Sequence, residues 1–181
     1  MTPRRTLDPR WRVLYLLTVA IGVFALRRPW ETGLLVVTQG TDSLHEIDTG
    51  THKVLHEVGT GVEPDAVAVA PGGTGGKGVA LVANLDSNTV TPVDLGTWRA
   101  GTPIAVGTEP VAIAVSVAAS GAATAFVADY GSNTVTPIDV ATLQPGAAIS
   151  VGPGPQTIAA TPGEVLVGNF GTGPASIADL H

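Results

Sequence analysis

"ANLDSNTVTPVDLGTWRAG", residues 83–101, is followed 45 places later by "ADYGSNTVTPIDVATLQPG", residues 128–146. A chain repeats itself that closely when each copy is a unit that cannot bury its own faces and needs the next copy to cover them. Aligned on the aspartates that close the strand-like cores, four copies stand out. They are "VVTQGTDSLHEID" ending at Asp48, "VANLDSNTVTPVD" at Asp94, "VADYGSNTVTPID" at Asp139 and "VGNFGTGPASIAD" at Asp179, spaced 46, 45 and 40 residues apart. A second element runs in register between them: "VGTGVEPDAVAVAP", "VGTEPVAIAVS" and "VGPGPQTIAATP", with Pro64, Pro110 and Pro155 spaced by 46 and 45.

Gly, Pro, Asn and Asp clusters divide each unit into four short strand-like pieces, the punctuation of strands joined by tight turns. In the third unit the pieces fall near 111–116, 124–128, 134–139 and 147–151. A four-stranded unit recurring every 40 to 50 residues is the pattern of a β-propeller blade. "AVAVA" (66–70) and "VAIAVS" (111–116) are apolar at successive positions, as strands between neighbouring sheets must be, and are read as the inner strands. Pro92 and Pro137 donate no ladder hydrogen bond, so the "TVTP" pieces belong near an edge or bulge on the outer side of a blade. A β-sandwich is the competing all-β reading, but it does not need a 45-residue repeat.

Units reading "VADYGSNTVTPID" followed by "ISVGPGPQTIAATPG" resemble the YVTN-family (YncE-like) β-propeller repeats of exported bacterial surface-layer-like proteins. The resemblance covers roughly residues 34–181 and is sharpest in the second and third copies. It implies a propeller of seven blades as the usual form, against about three and a half units here. The first copy is degraded ("TQGTDSLHEID") and the last is interrupted at Pro174.

Composition fits thin stacked sheets. Hydrophobic residues make up 44% of the 181 but aromatics only 4%, so the core is built from Val, Ala and other small side chains. There is no cysteine, which removes disulfides, thiolate metal sites and Cys nucleophiles. The N-terminus has the grammar of an export segment: basic "MTPRRTLDPRWR", an uncharged apolar run from Val13 to Leu26, then Arg27 and Arg28. The 14-residue run has the length of a signal-peptide core and is short of the ~20 residues that span a bilayer, while "VFALRRPW" offers no small-residue cleavage site. Residues 1–29 are therefore read as a signal peptide or an uncleaved membrane anchor, and 30–181 as the repeat domain outside the cytoplasm. Arg4, Arg5, Arg10 and Arg12 outnumber Arg27 and Arg28, which sets that orientation.

Residues 34–181 hold three bases (Lys53, Lys77, Arg99) and thirteen acids, a net charge of −10. Such a field repels phosphate backbones, and no basic patch with interleaved aromatics exists, so nucleic acid is excluded as a partner. His45, His52 and His56 cluster near Glu46 and Glu57, but a spacing of four converges on a metal only on a helix face, and this stretch reads as strand and turn. They are read as solvated surface residues. Ser87 and Ser132 recur by duplication in turns, without a nucleophile elbow. "GGTGGKG" (72–78) lacks phosphate-loop spacing and leads into a strand, which makes it an inter-strand loop. No cofactor or metal site is expected.

Function is left to one rim of the propeller, where loops vary on a rigid scaffold. Glu63, Asp65, Glu109 and Gln156 lie where an outer strand connects to the next inner one, and Asp86, Asp129, Tyr130, Asn169 and Phe170 in the turns between second and third strands. The leading reading is a non-enzymatic extracytoplasmic scaffold that binds a protein or small molecule through these residues. Two others stay open: a lactonase- or lyase-like propeller enzyme with a metal on rim carboxylates, and a fragment of a longer propeller with no role of its own. The strand-like pieces number three, four, four and three, the first blade lacking its inner strand and the last its outer one. After an N-terminal apolar export or anchor helix, the expected fold is an all-β partial propeller of about four four-stranded blades: an open arc whose end faces favour self-association, as a dimer closing about eight incomplete blades or as aggregates, or else a compact four-bladed ring that stays monomeric. The export reading has a direct test: alkaline phosphatase fused after His181 is expected to be active, and activity confined to a cytoplasmic-type reporter would reverse the topology.

Overall fold

A computed structural model describes residues 23–25, 33–171 and 176–179. They form four antiparallel sheets in chain order. The first contains β1 (Val23–Ala25), β2 (Gly33–Thr38), β3 (Ser43–Asp48) and β4 (Val54–Gly59). The second contains β5 (Pro64–Ala70), β6 (Val79–Asn84), β7 (Thr89–Asp94), β8 (Arg99–Ala100) and β9 (Ile104–Ala105). The third contains β10 (Pro110–Val117), β11 (Ala123–Asp129), β12 (Thr134–Asp139), β13 (Gln144–Pro145) and β14 (Ile149–Ser150). The fourth contains β15 (Pro155–Thr161), β16 (Glu164–Asn169) and β17 (Ser176–Asp179). Short 3-10 turns at Gln39–Thr41 and Thr74–Gly76 complete the regular elements.

Two expectations about strand count are corrected. The first sheet does not lack its inner strand: Val23–Ala25, at the end of the apolar run, pairs antiparallel with Leu34–Val36 of β2. Three residues inside a longer apolar run carry no strand punctuation of their own, so the sequence hides them. The rest of the proposed export segment lies outside the described residues, and no helix among the described residues is long and apolar enough to cross a membrane.

The single outer piece expected near 147–151 is two pieces, and proline is the reason. On β7, Thr89 and Val90 pair with β9 while Val93 and Asp94 pair with β8; Pro92, between them, has no N–H to offer the outer strand. Its carbonyl still accepts the Gly101 amide at 2.8 Å. Pro137 repeats this on β12, accepting from Gly146 at 2.8 Å between β14 and β13. A Cβ on Gly101 or Gly146 would stand 3.2 or 3.1 Å from the proline Cγ, so the close approach favours glycine at both places. The first sheet has Glu46 at the corresponding position, and there β4 runs unbroken with only a bulge between Glu46 and Ile47.

Each sheet packs on the next. Leu35, Val37 and Leu44 meet Ala80, Val82 and Val93 between sheets one and two. Leu81, Ala83 and Val90 meet Ala125, Val127 and Ile138 between sheets two and three. Phe126 and Val135 meet Val165 and Val167 between sheets three and four. The inner strands β5, β10 and β15 pack closely on one another whereas the outer strands scarcely touch, so the sheets converge at one edge and fan out at the other. The strands most buried on both faces are β6 and β11, the second of each sheet, and not the inner strands as the sequence suggests: β10 is largely half-buried along that converging edge, and β5 mixes buried Val67, Ala68 and Ala70 with half-buried Asp65, Ala66 and Val69.

The end sheets show the opposite pattern. On β16 Val165 and Val167 are buried while Glu164, Leu166 and Gly168 are exposed, the alternation of a sheet covered on one side only. Leu81 and Leu166 occupy equivalent positions, three residues before Asn84 and Asn169, yet Leu81 is 0% exposed and Leu166 48%. Leu81→Ala should therefore cost about 2–5 kcal/mol in chemical denaturation. Leu166→Ala, in protein dilute enough to be monomeric, should cost less than about 1 kcal/mol. Equal losses would contradict the stacking order.

Candidate functional site

The repeated turns assemble one rim. Asp42, Asn88 and Asn133 close the turns β2–β3, β6–β7 and β11–β12 with φ of 49°, 54° and 57°, a left-handed conformation that Asn and Asp tolerate. Their side-chain oxygens accept the amides of Glu63, Glu109 and Gly154 on the next inter-sheet connector at 2.9, 2.8 and 2.8 Å. Their carbonyls accept Thr60, Val106 and Val151 amides on the same connectors. Each connector is also held by the sheet it leads into. The amides of Leu85, Tyr130 and Phe170 donate to the carbonyls of Glu63, Glu109 and Gly154 at 2.8, 2.9 and 2.7 Å. Gly61 N donates to Asn84 Oδ1 at 3.1 Å, Val62 N to Ser87 Oγ at 3.0 Å and Thr108 N to Ser132 Oγ at 3.2 Å. Ser87 and Ser132, recurrent in the sequence, are thus clamps of the connectors.

All nine rim residues singled out in the sequence lie on this end of the sheets, though in different roles. Glu63, Asp86, Glu109, Gln156 and Phe170 are exposed, Phe170 at 74%. Tyr130 is half-buried, and both Tyr130 and Phe170 lie against Gly154, where a Cβ would stand 3.2 Å from Tyr130 Cε2 and 3.6 Å from Phe170 Cβ. Asp65 and Gln156 are bulge residues skipped in the β5–β6 and β15–β16 registers. Asp65 accepts from Gln39 Nε2 at 3.1 Å, and burial raises its pKa against that bond. Asn169 is half-buried, its amide atoms without a partner among the described residues.

Asp129 is a junction residue. It is 0% exposed, on the face of sheet three that meets sheet two, in the place Asn84 holds one repeat earlier. Its Oδ2 accepts from Thr136 Oγ1 at 2.7 Å and Thr134 Oγ1 at 3.2 Å, as Asn84 Nδ2 pairs with Thr91 and Thr89. Gly107 packs so closely that a Cβ there would come within 2.6 Å of Asp129 Cγ. Burial pushes the carboxyl up to about 6, opposed by the Thr136 and Thr134 hydroxyls and the Gly107 backbone.

Charge is divided between the two ends of the sheets. This rim holds Asp42, Glu63, Asp65, Asp86, Glu109 and Asp129 and, among the described residues, no Lys or Arg; Lys53 and Lys77 lie in loops and Arg99 opens the short strand β8, all at the opposite end. At that end Asp48, Asp94 and Asp139 cap the turns after β3, β7 and β12 by accepting amides two or three residues ahead. The Thr74 hydroxyl and turn amides hold Asp94 down at about 2, and the Thr142 amide and hydroxyl lower Asp139.

The three histidines do not converge. His56 stacks on Trp98 with ring centroids 4.6 Å apart and faces Glu46 at 3.9 Å, in a cleft of about 60 Å³ between sheets one and two that no sequence pattern announces. His45 points to the other face, its Nε2 bonded to Ser43 Oγ at 2.8 Å; it is half-buried where the sequence suggested a solvated residue. His52 is exposed in a left-handed turn, the place of Trp98 and Leu143 in later repeats. No group of three His, Asp or Glu side chains able to hold a metal forms among the described residues.

No protein-family model matches the chain, and no curated protein sequence does. Solved structures match its fold. It is similar to hydrazine synthase of Kuenenia stuttgartiensis, with a TM-score of 0.74 and 25% identity, over 95% of this chain and 49% of that one. A functionally unknown protein from Desulfotomaculum acetoxidans matches with a TM-score of 0.62 and 18% identity, over 89% of this chain and 55% of that one. The RRP9 WD40 repeats match with a TM-score of 0.64 and 10% identity, over 90% and 52%. WD40 repeats are four-stranded propeller blades. The four sheets are propeller-like, and the chain spans about half the length of the structures it matches.

The Asp129 environment fixes the sign of a pH effect. A carboxyl raised from 3.8 to about 6 contributes stability that is complete below pH 4 and lost as pH rises through 6. At neutral pH the wild type thus carries a cost on the order of 2 kcal/mol. Asp129→Asn, which restores the Asn84 arrangement, should melt higher than wild type at pH 7 and close to it at pH 4; parallel pH profiles would contradict this.

Proposed function

We propose that the chain is an extracytoplasmic propeller-repeat protein of YVTN (YncE-like) type. Its acidic rim binds a protein or small-molecule ligand without converting it. Support for the repeat type comes from the twice-copied "SNTVTP" turn and strand, whose Asn, Ser and Pro each have a structural duty that recurs at the same spacing. Export rests on the basic and apolar grammar of residues 1–29, with the cleaved signal or the anchor to the cytoplasmic membrane ending before Val23, since Val23–Ala25 pair with β2.

One observation carries the binding reading. The Ser87 and Ser132 hydroxyls, the Asn84, Asn88 and Asn133 side-chain oxygens and the Asp42 carboxylate are occupied in holding the connectors, whereas Phe170, beside Tyr130, is turned outward at 74% exposure. A large apolar side chain held open to water on a hydrogen-bonded frame is what a contact surface needs. The acidic field favours neutral or cationic ligands over nucleic acid.

The test is a peptide and small-molecule panel screened against the full chain by surface plasmon resonance. At least one binder should weaken tenfold or more with Phe170→Ala, and with Glu109→Gln, at unchanged melting temperature. Binders that ignore both substitutions would move the site off the rim. One divalent ion per chain in elemental analysis, lost with Asp65→Ala or Asp129→Ala, would favour the metal-enzyme reading.

A further inference from the structure

The two ends of the stack carry the same interface that its middle uses. In sheets two and three, the face turned back toward the preceding sheet presents Ala80, Val82 and Val93, then Ala125, Val127 and Ile138. The equivalent residues of sheet one are Leu34, Val36 and Ile47, all half-buried on the face away from sheet two. In the forward direction sheets two and three present Leu81 and Phe126 to the next sheet; the equivalent residue of sheet four is Leu166, 48% exposed, with Ala159 exposed across from it. Both terminal faces thus keep apolar residues at the positions that form the inner cores.

A polar feature marks the backward face as well. In sheets two and three its rim end holds Asn84 and Asp129, approached by Gly61 and Gly107 of the preceding connector. In sheet one a chain of bonds takes their place, Thr41 Oγ1 to Ser43 Oγ at 2.6 Å and Ser43 Oγ to His45 Nε2 at 2.8 Å, and leaves His45 Nδ1 buried without a partner among the described residues.

We infer that the forward face of sheet four docks on the backward face of sheet one in a second copy of this chain, so that two copies close head to tail into a ring of eight sheets. Continuity of the inter-sheet interface selects this occupant: the two faces differ, and each matches the partner its equivalents already bind. A head-to-tail contact forms a finite particle only if the rotation closes, and two copies satisfy that with a twofold axis. The contact is independent of the rim and of any ligand there.

The chain has no cysteine, which makes crosslinking clean. Full-length Val36→Cys and Leu166→Cys proteins are mixed under mild oxidation and followed by sedimentation velocity. The mixture should give a covalent dimer that neither variant gives alone. Leu166→Glu, at an exposed position, should weaken association at least tenfold while the far-ultraviolet circular dichroism and melting of dilute protein stay unchanged. Monomers at all concentrations, crosslinking of Leu166→Cys alone, or dimers indifferent to Leu166→Glu would each overturn the inference.

Discussion

A strand that is apolar on both faces must have a sheet on each side, and β6 and β11 impose that condition on everything around them. Val79–Asn84 and Ala123–Asp129 are buried along nearly their whole length, with no face left for water. Neither sheet can satisfy the requirement alone. The chain meets it by copying: sheet one covers the back of sheet two, sheet three its front, and sheet four the front of sheet three. Small side chains are a consequence, because converging sheets leave room for Ala and Val near the inner strands and for few aromatics.

Stacking fixes distance and hydrogen bonds fix registration. Three equivalent left-handed residues, Asp42, Asn88 and Asn133, grip the connector that follows, and the next turn grips it from the other side. Every connector is thereby shared by two sheets, which couples them along the rim as well as through the core. Asp129 is the weak link in this series. Where Asn84 donates to threonines and accepts from Gly61, the carboxylate has nothing to donate, and its charge is buried where Asn84 carries none. A frame held this way is stiff enough to present Tyr130 and Phe170 in fixed positions, the property a binding surface draws from a propeller.

The sequence revealed the period, the strand-turn punctuation and the stack, because duplication writes these directly: "SNTVTP" occurs twice and Pro64, Pro110 and Pro155 keep step with it. Pro92 and Pro137 also announced the irregular outer strands, although not that each would split in two. Burial of the second strands above the inner ones was not legible, since "AVAVA" and "VALVAN" look alike until the convergence of the sheets is known. Val23–Ala25 was hidden inside a longer apolar run. At the rim, the repeat placed the nine residues at one end of the sheets but could not separate exposed Phe170 from buried Asp129, nor foresee that His56 would find Trp98, because partners more than 40 residues apart are set by packing.

Native-state hydrogen exchange on dilute, monomeric protein tests the stacking most directly. If mutual covering by neighbours holds the fold, amides of β6 and β11 should open only with global unfolding, while those of β16, in a sheet covered on one side, should open at distinctly lower free energy. Equal protection of all three strands would show that the sheets stand without their neighbours and would contradict the account.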